Sequence, residues 1–129
     1  MVAADARTPL IIKLSSGNAH DGKFGHSLIR ELHDIPATHL GMDRAYEGNE
    51  TRNLVLRQGI TPVVPPKKNR REPWDYDKEV YKKRNEVERF FCRLKRFRRI
   101  ATRYDKLDIL FLFYITLVCF LDFFSVNRL

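Results

Sequence analysis

Thr38-His-Leu-Gly-Met-Asp-Arg-Ala-Tyr-Glu-Gly48 and, further on, Gly59-Ile-Thr-Pro-Val-Val64 frame the stretch that decides the fold. Thr38 to Met42 reads as a short strand that delivers Asp43 at its C-terminal end. A break at Gly48 opens a helix running to about Gln58, and Gly59 stops it, because glycine readily takes the left-handed backbone that ends helices. Ile60 to Val64 reads as a second strand, closed by Pro65-Pro66. Strands separated by a helix at this spacing can pair in parallel, which implies an α/β layer fold.

Working toward the N-terminus, Val2 to Ala4 and Leu10 to Leu14 are apolar runs joined by Asp5-Ala-Arg-Thr-Pro9. They read as a hairpin whose first strand is cut short at Met1. Ser15 to Asp21 is a turn cluster, with Asp21 placed to cap a helix over about Lys23 to His33 and Phe24, Leu28, Ile29 and Leu32 on one face. Toward the C-terminus, a polar, basic loop from Lys67 to Asp77 leads into a long amphipathic helix of about Lys78 to Ile100. A connection over Ala101 to Leu107 then reaches an apolar helix near Asp108 to Val126. The expected order is β-β-α-β-α-β-α-α, with a mixed sheet whose hairpin is antiparallel and whose later strands are parallel.

Composition narrows the function classes. A chain of 129 residues with 43% hydrophobic content fits one domain and can build a core, which argues against disorder. Its net charge of +8 favours a polyanionic partner, and the charge is localised. Lys67 to Lys106 holds 16 Lys and Arg against 7 Asp and Glu, a balance of +9, so the rest sums to −1. Cys92 and Cys119 lack metal-ligand spacing and suit a reducing cytoplasm, and the first residues do not resemble a signal peptide. The apolar run Ile109 to Leu121 has 13 residues, short of the roughly 18 to 20 that span a membrane, so it is expected to be a buried core helix with no membrane involved.

At about 100° per residue, and with Tyr81 set at 0°, Arg84, Glu88 and Lys95 fall within an arc of about 60° on the long helix. Val80, Val87, Phe90, Phe91, Leu94 and Phe97 form a separate apolar face. Glu86 falls far around the wheel, so Glu88 is the better functional carboxylate. Arg84 and Glu88, four apart, also suit an ordinary helix-surface ion pair. Asp43 equally suits a turn or cap, yet α/β sheets place ligands at the C-terminal ends of strands. Asp43 and Glu88 are hard oxygen donors suited to Mg²⁺ or Mn²⁺, among cations suited to phosphate.

Tyr81, Arg84, Glu88 and Lys95 have the spacing of the Tyr-Arg-Glu-Lys signature, and the chain resembles bacterial insertion-sequence DDE transposases of the IS-four and IS-five superfamily. Gly17-Asn-Ala-His-Asp21, Met42-Asp-Arg-Ala-Tyr46, Gly59-Ile-Thr-Pro62, Arg84-Asn-Glu-Val-Glu-Arg-Phe-Phe91 and Arg98-Arg-Ile-Ala-Thr-Arg-Tyr104 are similar to that family's blocks, in its order. The resemblance covers nearly the whole chain. It implies a ribonuclease-H-like catalytic fold in which three carboxylates hold two divalent metals, with Asp43 similar to the second Asp and Glu88 to the Glu. It further implies cutting of double-stranded DNA at element ends and transfer of the freed 3′-hydroxyl to target DNA, by a multimer assembled on DNA. Arg84 and Lys95 would hold phosphates, with Tyr81 beside them through its hydroxyl or ring.

Further DNA contacts are expected at Lys67, Lys68, Arg70 and Arg71 and in the Arg96, Arg98, Arg99 cluster, against the alternative of a solvated basic face. Trp74 is read as a loop residue covering the core, with stacking on an unpaired base as the alternative. His20 and Asp21 are read as turn and cap, and His26, His33 and His39 form no ligand set. Cys92 lacks a base partner and is read as inert. With 44 residues between Asp43 and Glu88, no large insertion interrupts the site.

The family pattern requires a first Asp on a strand preceding the hairpin, and Asp5, in the turn, does not fill that role. The fold expected is therefore a truncated ribonuclease-H-like one with its first strand missing: a single partial DDE domain over residues 1–129, inactive by itself and poorly soluble with its sheet edge open. An upstream transposase segment would complete it. The alternative is a decayed remnant acting at most as a basic nucleic-acid-binding module.

Overall fold

The structure is a computed structural model that describes residues 2–3, 9–15 and 21–126. The chain divides into two compact units, Gly17–Arg84 and the combination of Met1–Ser16 with Asn85–Leu129. Its architecture is mixed α/β, but among the described residues the strands form two sheets of two strands each, where one mixed sheet was expected.

In the unit Gly17–Arg84, α1 (Asp21–Arg30) continues into a 3-10 turn over Glu31–Asp34. Of the apolar face read from the sequence, Ile29 and Leu32 are buried and Phe24 and Leu28 are half-buried. Next come β3 (His39–Gly41), a 3-10 turn over Arg44–Tyr46, α2 (Asn49–Arg57) and β4 (Thr61–Val63). β3 pairs with β4 in parallel, with Leu40 opposite Pro62. Two flanking bonds, Thr61 N–H to Thr38 O at 2.9 Å and Met42 N–H to Val63 O at 3.0 Å, extend the pairing over the whole Thr38–Met42 stretch.

The end of α2 fixes where β4 begins. Gly59, at φ 73°, donates its N–H to Leu56 O at 2.9 Å, and Ile60 N–H donates to Val55 O at 3.3 Å. These are the paired bonds of a glycine-terminated helix, closed by the apolar residues Val55 and Ile60, both buried. Val63 and Val64 follow immediately into the interior. The unit ends with α3 (Lys78–Lys82), capped by the Asp77 carboxylate, which accepts from Glu79 N–H at 2.9 Å and Val80 N–H at 3.0 Å.

The second unit holds the antiparallel pair β1 (Val2–Ala3) and β2 (Pro9–Ile11); the connecting turn with Asp5 lies outside the described residues, as does most of Gly17–Asp21, including His20. It also holds all but the first residue of α4 (Arg84–Leu94), together with α5 (Arg98–Ala101) and α6 (Asp108–Val126). Phe90 and Leu94 of α4 are buried with Phe111, Ile115, Val118 and Cys119 of α6, and Ile12, Leu14, Ile100 and Tyr114 pack at the margin. Across this contact Arg93 grips Asp122, its Nε 3.1 Å and 3.2 Å from the two carboxylate oxygens.

Three expectations are corrected here. The single helix over Lys78–Ile100 is three segments, because Lys83 N–H bonds to Val80 O at 3.1 Å and both Arg96 and Phe97 bond three residues back at 3.1 Å. Bonds of that span tighten the coil and close a helix. Phe91 and Phe97, placed on the apolar face by a continuous wheel, are exposed. The apolar C-terminal helix is not buried throughout. One stripe of α6 is covered, whereas Ile109 is 73% exposed and Phe113 66%. A helix apolar on every side cannot bury every side against few neighbours. At 19 residues, and with a mean hydropathy of 2.0 over Asp108–Ser125, α6 is by length and composition alone capable of spanning a membrane, unlike the 13-residue run. Asp122, held by Arg93, lies within that stretch.

The turn that carries Asp43 is seated by a close approach to α1. A Cβ placed at Gly25 would overlap the Tyr46 ring at Cε1. Gly25→Ala is expected to cost about 1–3 kcal/mol through this overlap. In a Tyr46→Ala background the same change should stabilise by roughly 0.5–1 kcal/mol, because alanine favours the helix. Denaturant unfolding of the four proteins checks this, and equal effects in both backgrounds would contradict it.

Candidate functional site

Asp43 stands at the C-terminal end of β3, with an extended backbone (φ −68°, ψ 155°). Its Oδ1 accepts the Arg44 N–H at 2.6 Å, capping the 3-10 turn, and its backbone oxygen accepts the Tyr46 N–H at 2.9 Å. The capping role open to it from the sequence is thus realised with one oxygen. The other, Oδ2, faces Arg84 Nη1 at 3.8 Å. The Arg84 guanidinium also lies 5.6 Å from the centre of the Tyr81 ring, which meets Tyr76 edge-on at 5.6 Å. Within this unit, therefore, Tyr81, Arg84 and Asp43 come together.

Glu88 and Lys95 belong to the other unit. Glu88 is exposed on α4 and lines a shallow groove with Asn85, Arg89, Cys92, Arg93 and Arg96. Lys95 N–H bonds to Phe91 O at 3.0 Å, so helical winding persists to Lys95, and a spacing of seven returns it to the Glu88 face. Glu86 pairs with Arg89 at 2.7 Å, an ordinary helix-surface contact.

The basic residues fall into two groups. Lys67 Nζ lies 3.4 Å from Glu47 Oε1, and Arg70 Nη1 lies 3.0 Å from Glu47 Oε2. Arg70 also bonds to Asn49 and lies over the Trp74 ring at 4.4 Å. Arg99 is held by Asp105 through two hydrogen bonds, of 2.9 and 2.5 Å, and Arg103 by Asp108. The Asp105 bond raises the Arg99 pKa and holds that of Asp105 below the usual carboxylate range. By contrast Lys68, Arg71, Lys95, Arg96 and Arg98 are exposed, and none has a side-chain ion pair among the described residues.

Trp74 covers the core: it is half-buried, and its Nε1–H donates to Val64 O at 2.9 Å. Glu47, which sequence reasoning missed, is a buried carboxylate. Burial pushes its pKa up, but the Lys67 backbone N–H and the Arg70 and Lys67 side chains outweigh that and hold it below the ordinary value. No local pattern marks it, since its partners come from a loop 20 and 23 residues away.

His26 Nε2 bonds to Thr51 Oγ1 at 2.8 Å, tying α1 to α2. Among the described residues no three His, Cys, Asp or Glu side chains gather as a metal-binding group. In kind, Asp43 fits a divalent cation, since its Oδ2 already faces a cation, the Arg84 guanidinium. Both cysteines are free thiols, and burial pushes the Cys119 pKa up, which makes that thiol unreactive.

The site thus joins a strand-end carboxylate to an arginine in a mixed α/β chain with many exposed cations, and comparisons with known proteins identify the family. Residues 1–122 match the family described as the transposase DDE domain. A putative transposase for insertion sequence element IS6501 from Brucella ovis (strain ATCC 25840 / 63/290 / NCTC 10512) is 31% identical over 112 residues, spanning 86% of this chain and 85% of that protein. No solved structure matches the chain. The chain belongs to the transposase DDE domain family.

The two roles of the Asp43 oxygens are separable. Asp43→Asn keeps an oxygen for the Arg44 N–H and loses only an exposed charge pair, a change expected to cost under about 1 kcal/mol. Asp43→Ala removes the cap as well and should cost about 1 kcal/mol more. Thermal unfolding measures both. If the two variants were equally destabilised, the ion pair rather than the cap would be holding the turn.

Proposed function

We propose that this chain carries part of the strand-cutting and strand-joining site of an insertion-sequence transposase of the Tyr-Arg-Glu-Lys type. Its core would be ribonuclease-H-like, with Asp43 and Glu88 as two of three metal-holding carboxylates. The observation that carries this reading is the meeting of Asp43 with Arg84 and Tyr81, the strand-end acid with the first two members of the signature series. Family membership supports DNA transposition as the process.

Each residue has a task in this reading. Asp43 is fixed by its cap to Arg44 and offers Oδ2 outward. Glu88 presents its carboxylate from α4. When bound, divalent ions such as Mg²⁺ or Mn²⁺ would supply charge neutralisation at the attacking and leaving oxygens of an in-line phosphodiester displacement. Arg84, given up by Asp43, turns its planar guanidinium to a DNA phosphate, for which two parallel N–H donors are well matched. Tyr81 backs that guanidinium with its ring, and Lys95 adds a second positive charge on the Glu88 face. A further transposase segment contributes the third carboxylate, and the assembly on DNA is multimeric.

Nicking of a supercoiled plasmid carrying the element ends, by the chain combined with the upstream-encoded segment, tests the reading. Mg²⁺-dependent nicking is expected to fall at least about a hundredfold with Glu88→Gln or Asp43→Asn, while the fold is retained. Nicking indifferent to both changes would refute the site. No nicking in any pairing would leave a nucleic-acid-binding remnant as the better account.

A further inference from the structure

The segment from Lys67 to Trp74 carries four cations in five residues, Lys67, Lys68, Arg70 and Arg71, and its conformation divides them. Glu47 binds it three times: to the Lys67 N–H at 3.4 Å, to Lys67 Nζ at 3.4 Å and to Arg70 Nη1 at 3.0 Å. Arg70 donates back to the Glu47 carbonyl at 3.5 Å, and Arg70 N–H bonds to Lys67 O at 3.2 Å, closing a turn. At the far end Trp74 is fastened to Val64 O, with the Arg52 guanidinium 3.6 Å from its ring centre. A buried carboxylate that gathers two cations from one loop fixes that loop's backbone, because removing either partner leaves a charge without compensation in the interior. Lys68, inside the turn, and Arg71, just after it, are left exposed without ion pairs among the described residues.

We propose that this loop is a prefolded DNA-backbone surface, in which Lys68 and Arg71 each contact a phosphate while Glu47 is a positioning residue that binds Lys67 and Arg70 and thereby sets the loop's shape. This rests on the reading of the chain as a DNA-acting transposase and adds a specific surface to it. Prefolding matters because a flexible basic loop must be ordered on binding, and that cost is subtracted from its affinity. Trp74 then has a structural task as the anchor of the loop and does not stack on a base.

Salt-dependent binding of a short mixed-sequence DNA duplex by the full chain tests the assignment. Each phosphate contact contributes about 0.9 to the slope of log K against log salt. Lys68→Ala and Arg71→Ala, both at exposed positions, should each lower that slope by about this amount. Glu47→Gln should weaken binding and change the emission of Trp74, the chain's single tryptophan, with far-ultraviolet circular dichroism preserved. Duplex binding whose slope ignores both Lys68→Ala and Arg71→Ala overturns the surface, and Glu47→Gln that leaves both affinity and Trp74 emission unchanged overturns the positioning role. A wild-type chain with no affinity for duplex would overturn the transposase reading together with this one. Preference for single-stranded RNA over duplex DNA would overturn the choice of partner.

Discussion

The Asp43 carboxylate divides its two oxygens between backbone and charge, and the candidate site depends on that division. Oδ1 closes the turn after β3, and Oδ2 faces the guanidinium of Arg84. The first bond is local and resists solvent competition because it caps a turn whose backbone is already set by the parallel pairing with β4. The second is long and half-exposed, hence weak and exchangeable. A carboxylate rigid in position but loosely countered suits a group that must release one cation and accept another.

The basic character of the chain has a narrower meaning than its composition suggests. Within Lys67–Lys106, Arg70, Arg93, Arg99 and Arg103 each grip an acid, and most of these pairs join elements of structure. Arg93 with Asp122 ties α4 to α6, and Arg70 with Glu47 ties a loop to the turn before α2. Such arginines use a planar fork that carboxylates match in two places. Among the exposed cations of this stretch, Lys68, Arg71, Lys78, Lys83, Lys95, Arg96, Arg98 and Lys106 have no ion pair among the described residues. Exposed charges at these positions act at a range of roughly 8–10 Å in ordinary salt.

Much of the fold was legible because its signals are local. Gly59 stops α2 through a positive φ that glycine takes at no cost, and strand, helix and strand over Thr38–Val64 occur where the pattern puts them. The helix after Asp77 was readable too, although its cap was not singled out. What escaped was set by contacts distant in sequence. Helical periodicity places Tyr81 and Lys95 on one arc only if winding is uninterrupted, and the three-residue bond from Lys83 N–H to Val80 O interrupts it between them. Glu47 and Asp122 look like ordinary surface acids until their arginine partners, far along the chain, are known. The run of α6 was read as core because apolar residues usually are, but periodicity cannot say how many neighbours a helix will have. The site was legible as residue types at a spacing. That Arg84 reaches Asp43, and not only a neighbour on its own helix, required coordinates.

The central claim is that Asp43 and Glu88 hold divalent metal. Fe²⁺ substituted for Mg²⁺ reduces added hydrogen peroxide to hydroxyl radicals, with ascorbate regenerating the Fe²⁺, and these cut a polypeptide near the bound ion, so mapping the fragments locates the metal without relying on catalysis. In the presence of DNA and of a transposase segment that carries the third carboxylate, the account predicts cuts next to Asp43 and Glu88, lost in Asp43→Asn and competed away by excess Mg²⁺. Cuts elsewhere, or cuts at these positions that persist in Asp43→Asn, would contradict it.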